Sequence, residues 1–315
     1  MKSRLRQALP YMIRFLRLMG RSFRRVWGRD VMLYTGGVSF FALLAIFPAI
    51  ALLIGALKVV LSTGQITEQA AALADLVPVM ARDIFENEVR RLSEASARTV
   101  SAQSAVALVI GAYAAHRGFK ALLAGLNLIH GEDEGSHSFL KFNLLALIVA
   151  VVAFLLFTVI SGMVVVSRVL ERSMPTNGVD GIASLTEWLW AAGGLTLGLC
   201  GLYRYAMSHE GRVAWGPAVT GAVTATLLSL VASWLCAIYV EQVVELGATY
   251  GSVGAIVVML IWLSWNVNAV FFGGALATEL ELSHRKRPVN MMRKLRSPFS
   301  AVSTLARSAG RSLRK

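Results

Sequence analysis

Long uncharged apolar stretches, separated by polar segments, recur along most of the chain. The longest is Tyr250–Glu281, and no charged side chain occurs between Glu245 and Glu279. A helix needs about 20 apolar residues to cross about 30 Å of hydrocarbon, so this stretch predicts a membrane-spanning helix. It also carries Ser264, Asn266 and Asn268, and small residues recur in it at helical spacing. We therefore predict a central helix, packed by neighbours on more than one side.

Five further apolar stretches predict the other spans of a helical bundle. Their approximate limits are Val31–Leu61, Val100–Ala115, Phe139–Val166, Leu185–Tyr205 and Trp215–Tyr239. The last of these carries small residues at every fourth position, a spacing that lets another helix approach closely. These residues are Gly221, Ala225, Ser229, Ser233 and Ala237. The fold class predicted is an all-α polytopic membrane protein with six transmembrane helices and additional amphipathic helices outside the membrane.

Three regions follow from this pattern. Residues 1–30 form a basic amphipathic segment, with arginines opposite a helically spaced apolar face. Residues 31–282 form the transmembrane domain, in which the acidic, amphipathic stretch 62–99 is a predicted periplasmic helical insert. Residues 283–315 form a basic tail that we predict to be disordered.

Composition and charge agree with the membrane class. Of the 315 residues, 56% are hydrophobic and 16% are charged, and the mean hydropathy is +0.62, values that exclude an ordinary soluble domain. The net charge is +13, and nineteen of the 31 lysines and arginines lie in the two tails. By the positive-inside rule, both termini are predicted to be cytoplasmic in a multi-pass protein of the bacterial inner membrane. The tails suit anionic lipid headgroups, rather than a specific nucleic acid, although a solvated tail without a partner is the alternative.

Two groups of polar residues are candidates for a binding site. Arg117, Lys120 and Asn127 follow the second predicted span, where a cation at the cytoplasmic junction can hold a phosphate or carboxylate headgroup. Topogenic charge and a helix cap explain them equally well. The second group, Ser264, Asn266 and Asn268, either lines a passage or hydrogen-bonds neighbouring helices.

Motifs for catalysis are absent from the sequence. The five histidines form neither HxH nor HExxH, Cys200 and Cys236 lack metal-ligand spacing, and no Walker loop is present. We therefore predict no catalytic residue, no metal and no cofactor, and a protein that is not an enzyme.

Several motifs, in order along the chain, resemble the YihY/BrkB family of bacterial inner-membrane proteins. They are S39-F-F-A-L-L-A-I-F-P48, A121-L-L-A-G-L-N127, Y203-R204, W215-G-P-A-V-T-G221 and Y250-G-S-V-G-A…W262…G273-G-A-L-A-T-E-L280. The resemblance covers about residues 27–281 and implies a six-helix membrane domain with cytoplasmic termini. Family members have often carried a ribonuclease BN-like label. The YhjD-like branch, which is connected with export of lipopolysaccharide precursors, is similar in length and in its basic tails.

Ala275 and Ala277 depart from the family pattern, which commonly has Glu and Asn at these two positions. An ion-coupling role of the family glutamate therefore cannot be carried over. The first functional hypothesis is a transporter, or flippase-like exporter, of an anionic lipid or amphiphile. The alternative is a scaffold for envelope integrity that transports nothing and recruits lipids or proteins through its basic tails. Self-association of the chain is left open.

Overall fold

The computed structural model describes residues 17–27, 31–57, 86–87, 90–91, 97–131, 139–173, 180–207, 213–242 and 254–283. The regular secondary structure in these residues is α-helical, which confirms the predicted all-α class. Most of the predicted insert 62–99, residues 1–16 and nearly all of the basic tail 283–315 lie outside the described residues. The predictions made for those segments therefore stay predictions.

Seven helices of eleven residues or more account for most of the described part of the chain. Apolar stretches of this length form helices in a membrane because every backbone group must find its partner within the segment. The helices are α1 Arg17–Trp27, α2 Val31–Leu57, α3 Ala97–His130, α4 Phe139–Ser173, α5 Asp180–Tyr205, α6 Trp215–Gln242 and α7 Gly254–Ser283.

Four helical segments in the described residues are long and apolar enough to cross a membrane. They are Ala105–His130, Leu140–Met163, Trp215–Tyr239 and Gly254–Ser283. A fifth candidate is the pair formed by α1 and the first part of α2, Val31–Ile46, whose axes meet at 72°. Because α5 is not among these candidates, the count of six spans stays a prediction.

Three pairs of helices that follow each other in the chain run antiparallel. In α2 and α3, Gly37 contacts Ala121 and Pro48 contacts Gly111, so residue numbers increase along α2 where they decrease along α3. The same inversion relates α4 to α5, where Ile160 lies against Gly194 and Leu156 against Gly198. Residues 221 and 233 of α6 likewise meet residues 273 and 262 of α7.

Helix α7 is central to the bundle, as the sequence predicts. Its Phe271 lies against Gly125 of α3, and its Gly273 meets both Ala225 of α6 and the hydroxyl of Tyr203 of α5. That hydroxyl donates a hydrogen bond to the carbonyl of Val270, at 2.6 Å. The predicted small-residue ridge of α6 therefore does pack against the small residues of α7. By contrast, the outer face of α4 is exposed and apolar, as expected of a surface that faces lipid.

Candidate functional site

Helix α3 carries the first group of predicted site residues in its middle. The sequence analysis placed Arg117 and Lys120 at a cytoplasmic junction, after a span that ended near Ala115. The predicted end of this helix near Ala115 is wrong, because α3 continues without a break to His130. Both cations fall within the candidate span Ala105–His130, and their depth in the membrane stays a prediction. The helix continues because its neighbours accommodate the polar stretch. A methyl group added at Gly118 would lie 3.3 Å from Cβ of Phe41 in α2.

The register also predicts the depth of Arg117, with Val31 taken as the start of the span. Phe41 lies about ten residues along α2 from Val31, which is about 15 Å at the rise of an α-helix. Half of the hydrocarbon core is also about 15 Å. Arg117 lies over the rings of Phe41 and Tyr113, with its guanidinium carbon 5.9 and 6.0 Å from their centroids. These are the distances at which a ring face attracts a cation.

Arg117 is exposed on the outside of the bundle. Among the described residues, no carboxylate forms an ion pair with it. A charged side chain at this depth is costly and in membrane proteins usually marks a functional site. The aromatic rings offset part of that cost, and the guanidinium keeps its hydrogen-bond donors for an anion.

Lys120 is half-buried between α3 and α4. Its Nζ donates a hydrogen bond of 2.9 Å to Oδ1 of Asn143. The sequence analysis did not single out Asn143, although an asparagine at the fifth position of the apolar helix α4 is itself unusual. The bond orients the ammonium group of Lys120. Lys120 is one turn after His116 in α3, so the two residues lie on the same face of the helix.

Asn127 and His116 share this face of α3 with Lys120. In the described part of the structure, Oδ1 of Asn127 and Nδ1 of His116 are buried atoms without a hydrogen-bond partner. Buried polar atoms are normally paired, so each marks a place where a water or a ligand atom would be stabilised. Arg117, Lys120 and Asn127 therefore do share one helix, with Lys120 and Asn127 on the same face as His116 and Arg117 on the neighbouring face.

The second predicted group is used in packing. Asn268 accepts a hydrogen bond of 2.9 Å from the hydroxyl of Thr35, and Ser264 lies 3.3 Å from the hydroxyl of Ser39, so both residues join α7 to α2. The amide of Asn266 donates to the carbonyl of Trp262, one turn earlier in α7. Hydrogen bonding between helices is the alternative that the sequence left open for this group, in place of lining a passage. These bonds do not bring the polar residues of α7 next to those of α3.

A further polar cluster lies where α1, α3 and α7 meet, and sequence reasoning did not find it. Arg25 forms an ion pair with Glu279 and donates a 2.9 Å hydrogen bond to the carbonyl of Ile129. On the same end of α7, the hydroxyl of Thr278 lies 3.3 Å from His130. The spacing of arginines in α1 predicts a basic face, but it does not tell which arginine turns inward.

The described residues contain no group of three or more His, Cys, Asp or Glu side chains that could hold a metal ion. Cys200 and Cys236 are both buried and unbridged. What the site does offer is cationic and amide groups on one helix, which suit the binding of an anion.

Comparison with known proteins gives two matches. The profile of the family described as Virulence factor BrkB matches residues 22–296. The ribonuclease-like protein YfkH of Bacillus subtilis (strain 168) is 24% identical over 172 residues. That alignment covers 53% of this chain and 62% of YfkH, so the chain spans less than two thirds of the length of this relative. No solved structure matches the chain.

Proposed function

The chain belongs to the BrkB family of polytopic membrane proteins, and from this premise we propose that it moves an anionic lipid or amphiphile across the membrane. The observation that carries the proposal is the pair of cations in the middle of α3, one of which is exposed toward the surrounding lipid. Arg117 is the headgroup contact, and Lys120, oriented by Asn143, is the second cation on its path.

The route lies along the lipid-facing side of α3. Arg117 opens outward between Phe41 and Tyr113, whereas Ser264, Asn266 and Asn268 are committed to hydrogen bonds within the bundle. A headgroup that follows Asn127, Lys120 and Arg117 covers about 15 Å along the helix. Its acyl chains stay in the hydrocarbon throughout, so the lipid tails need not enter the protein.

The substrate class follows from the charge. A phosphate or carboxylate forms charge-assisted hydrogen bonds with guanidinium and ammonium groups, and these are stronger where water is scarce. A neutral headgroup gains no such compensation. We propose a phosphate-bearing lipid, and the similarity to the YhjD-like branch makes a lipopolysaccharide precursor one substrate to try.

Transport is tested in proteoliposomes by following a fluorescent anionic lipid that is reduced only in the outer leaflet. We expect Arg117→Ala, and Arg117→Ala combined with Lys120→Ala, to slow movement by about tenfold or more, since each variant removes a charged contact of about 1.5–3 kcal/mol. Lys141→Ala is the matched control, because Lys141 is an exposed lysine near the start of α4, away from the middle of the span. Rates that stay at the wild-type level in folded Arg117→Ala protein would refute the proposal.

A scaffold function is the second candidate, and the exposed arginines of α1 favour it. It places the functional groups in the basic segment instead of in α3. Deleting residues 1–20 should then abolish the cellular phenotype while Arg117→Ala leaves it intact. The opposite result supports transport.

We propose no catalytic role. The name of YfkH refers to a ribonuclease, and that label belongs to the relative. RNA cleavage by the purified chain, lost on substitution of one defined acidic residue, would overturn this view.

A further inference from the structure

Helix α1 has two chemically different faces. Ser22 and Val26 are buried against the bundle. Arg17, Arg21 and Arg24 are exposed, and none of the three forms an ion pair with a carboxylate among the described residues. The exposed face also carries a stacked aromatic pair, Phe23 and Trp27.

Phe23 and Trp27 stack with their ring centroids 5.4 Å apart, although they are 53% and 63% exposed. Met32 and Leu33, at the start of α2, are exposed apolar side chains as well. They belong to the predicted transmembrane domain, so exposed apolar residues occur on both helices of the bent pair. Aromatic side chains in such a position are typical of the interface between hydrocarbon and headgroups.

The axis of α1 turns by 72° from that of α2. A helix that meets a membrane-spanning helix at this angle runs more nearly along the membrane plane than across it. With apolar rings on one edge and three arginines beside them, α1 has the pattern of an interfacial helix.

Arg25 differs from the other arginines of α1 because it turns inward. It joins α1 to the carboxylate of Glu279 in α7 and to the carbonyl of Ile129 in the last turn of α3. Both partners attract a cation, since the last carbonyls of a helix carry its negative dipole end. The arginine fork satisfies both at once, which the point charge of lysine does less well.

We propose that α1 is a binding surface for anionic lipid headgroups. The phosphates are contacted by Arg17, Arg21 and Arg24, and the Phe23–Trp27 pair lies at the boundary with the acyl chains. Arg25 holds the helix against the bundle through Glu279 and Ile129. Lipid is the occupant because exposed arginines and an exposed aromatic pair lie side by side on α1, the combination that suits headgroups on one edge and acyl chains on the other. This proposal is independent of transport.

Lipid retention tests the surface. The full chain is purified in nanodiscs of equal phosphatidylcholine and phosphatidylglycerol, and bound lipids are counted by native mass spectrometry after release. We expect the variant Arg17→Gln/Arg21→Gln/Arg24→Gln to lose about fivefold or more of its bound phosphatidylglycerol, because it removes three basic residues that attract anionic headgroups. A variant with Lys141→Gln is the control. An unchanged phosphatidylglycerol count in the triple variant would overturn the proposal.

Lipid contact at the aromatic pair is tested separately with brominated lipids. They quench tryptophan fluorescence on contact, and the fraction assigned to Trp27 is the difference between the wild type and Trp27→Phe. We expect this fraction to be quenched more strongly when the brominated lipid is anionic. No quenching of that fraction by either lipid would place Trp27 away from the membrane and contradict the assignment.

The role of Arg25 in holding α1 against the bundle is tested by exchanging the charges of Arg25 and Glu279. Spin labels at Arg21→Cys and Ser283→Cys, with Cys200 and Cys236 replaced by alanine, report the distance between α1 and the end of α7. We expect a narrow distance distribution in the parent, a broad one in Arg25→Glu, and a narrow one again in Arg25→Glu/Glu279→Arg. Glu279→Gln, which keeps the side-chain size, should broaden it less than Arg25→Glu does. A narrow distance distribution in Arg25→Glu would show that the ion pair does not hold α1 in place.

Discussion

Gly221 and Gly273 set how closely α6 and α7 approach each other. A methyl group added at Gly221 would lie 2.5 Å from the carbonyl oxygen of Gly273, and one added at Gly273 would lie 2.6 Å from that of Gly221. Since both obstacles are backbone atoms, neither moves aside unless the helices separate. We expect Gly221→Ala to lower the free energy of unfolding by about 1–3 kcal/mol, as other overpacked sites do. Thermal unfolding in detergent measures the loss.

Gly216→Ala is the matched control for this effect. Gly216 lies in the same helix, and a methyl group added there meets nothing within 4 Å. Alanine is the better helix former by about 1 kcal/mol, so this variant should be as stable as the parent or more so. Equal melting temperatures for the two alanine variants would contradict the explanation from close packing.

Individual residues differ in how far the sequence predicts their contacts. The four-residue spacing of Gly221 and Ala225 predicts a helix contact, and both residues make one. The partners of Asn268 and Arg25 were not predicted, because they are 233 and 254 positions away along the chain. Spacing tells which residues share a face of a helix, but it does not tell which other helix that face meets.

Helix α3 shows the same limit at the scale of an element. Three polar side chains within His116–Lys120 indicated the end of a span, because hydropathy counts each residue alone. The helix continues through them because Phe41 packs on Gly118 and Asn143 accepts from Lys120. Both partners belong to other helices, which composition and periodicity do not reveal.

The depth of α3 gives a prediction at this scale. A nitroxide at Arg117→Cys, with Cys200 and Cys236 replaced by alanine, should collide mainly with oxygen, which concentrates in hydrocarbon. One at Lys141→Cys should collide mainly with a water-soluble nickel chelate, since Lys141 is exposed near the start of α4. Paramagnetic resonance measures both. Equal access of the chelate to the two sites would return Arg117 to the membrane surface.

The hydrogen bond between Thr35 of α2 and Asn268 of α7 can be measured by a double-mutant cycle. Thr35→Val and Asn268→Leu each remove one partner of their hydrogen bond and keep the shape of the side chain. We expect a coupling energy of about 0.6 kcal/mol, within the range found for bonds between helices in membranes, from unfolding in mixed micelles. Thr35→Val with Asn266→Leu is the control cycle and should show none, because Asn266 bonds within α7. Equal coupling in the two cycles would argue against the bond.

For the whole molecule, the ends of the bundle determine whether the number of membrane crossings is even or odd. The ion pair between Arg25 and Glu279 places the entry of α2 and the end of α7 at the same end of the bundle. A chain that enters and leaves on one side makes an even number of crossings. Length and composition identify four candidate spans in the described residues, or five with the bent pair.

We expect helix α5 to supply the remaining crossing. It runs antiparallel to α4 along the contacts of Leu156 and Ile160, and its Thr196 bonds Thr226 of α6. We therefore expect six crossings with both termini cytoplasmic, on the side that the basic tails predict. A green fluorescent protein fused after Lys315 should fluoresce and alkaline phosphatase there should be inactive, while a phosphatase inserted after Asn177, between α4 and α5, should be active. A C-terminal fusion that is dark as fluorescent protein and active as phosphatase, together with an active phosphatase after Asn177, would mean that α5 does not cross.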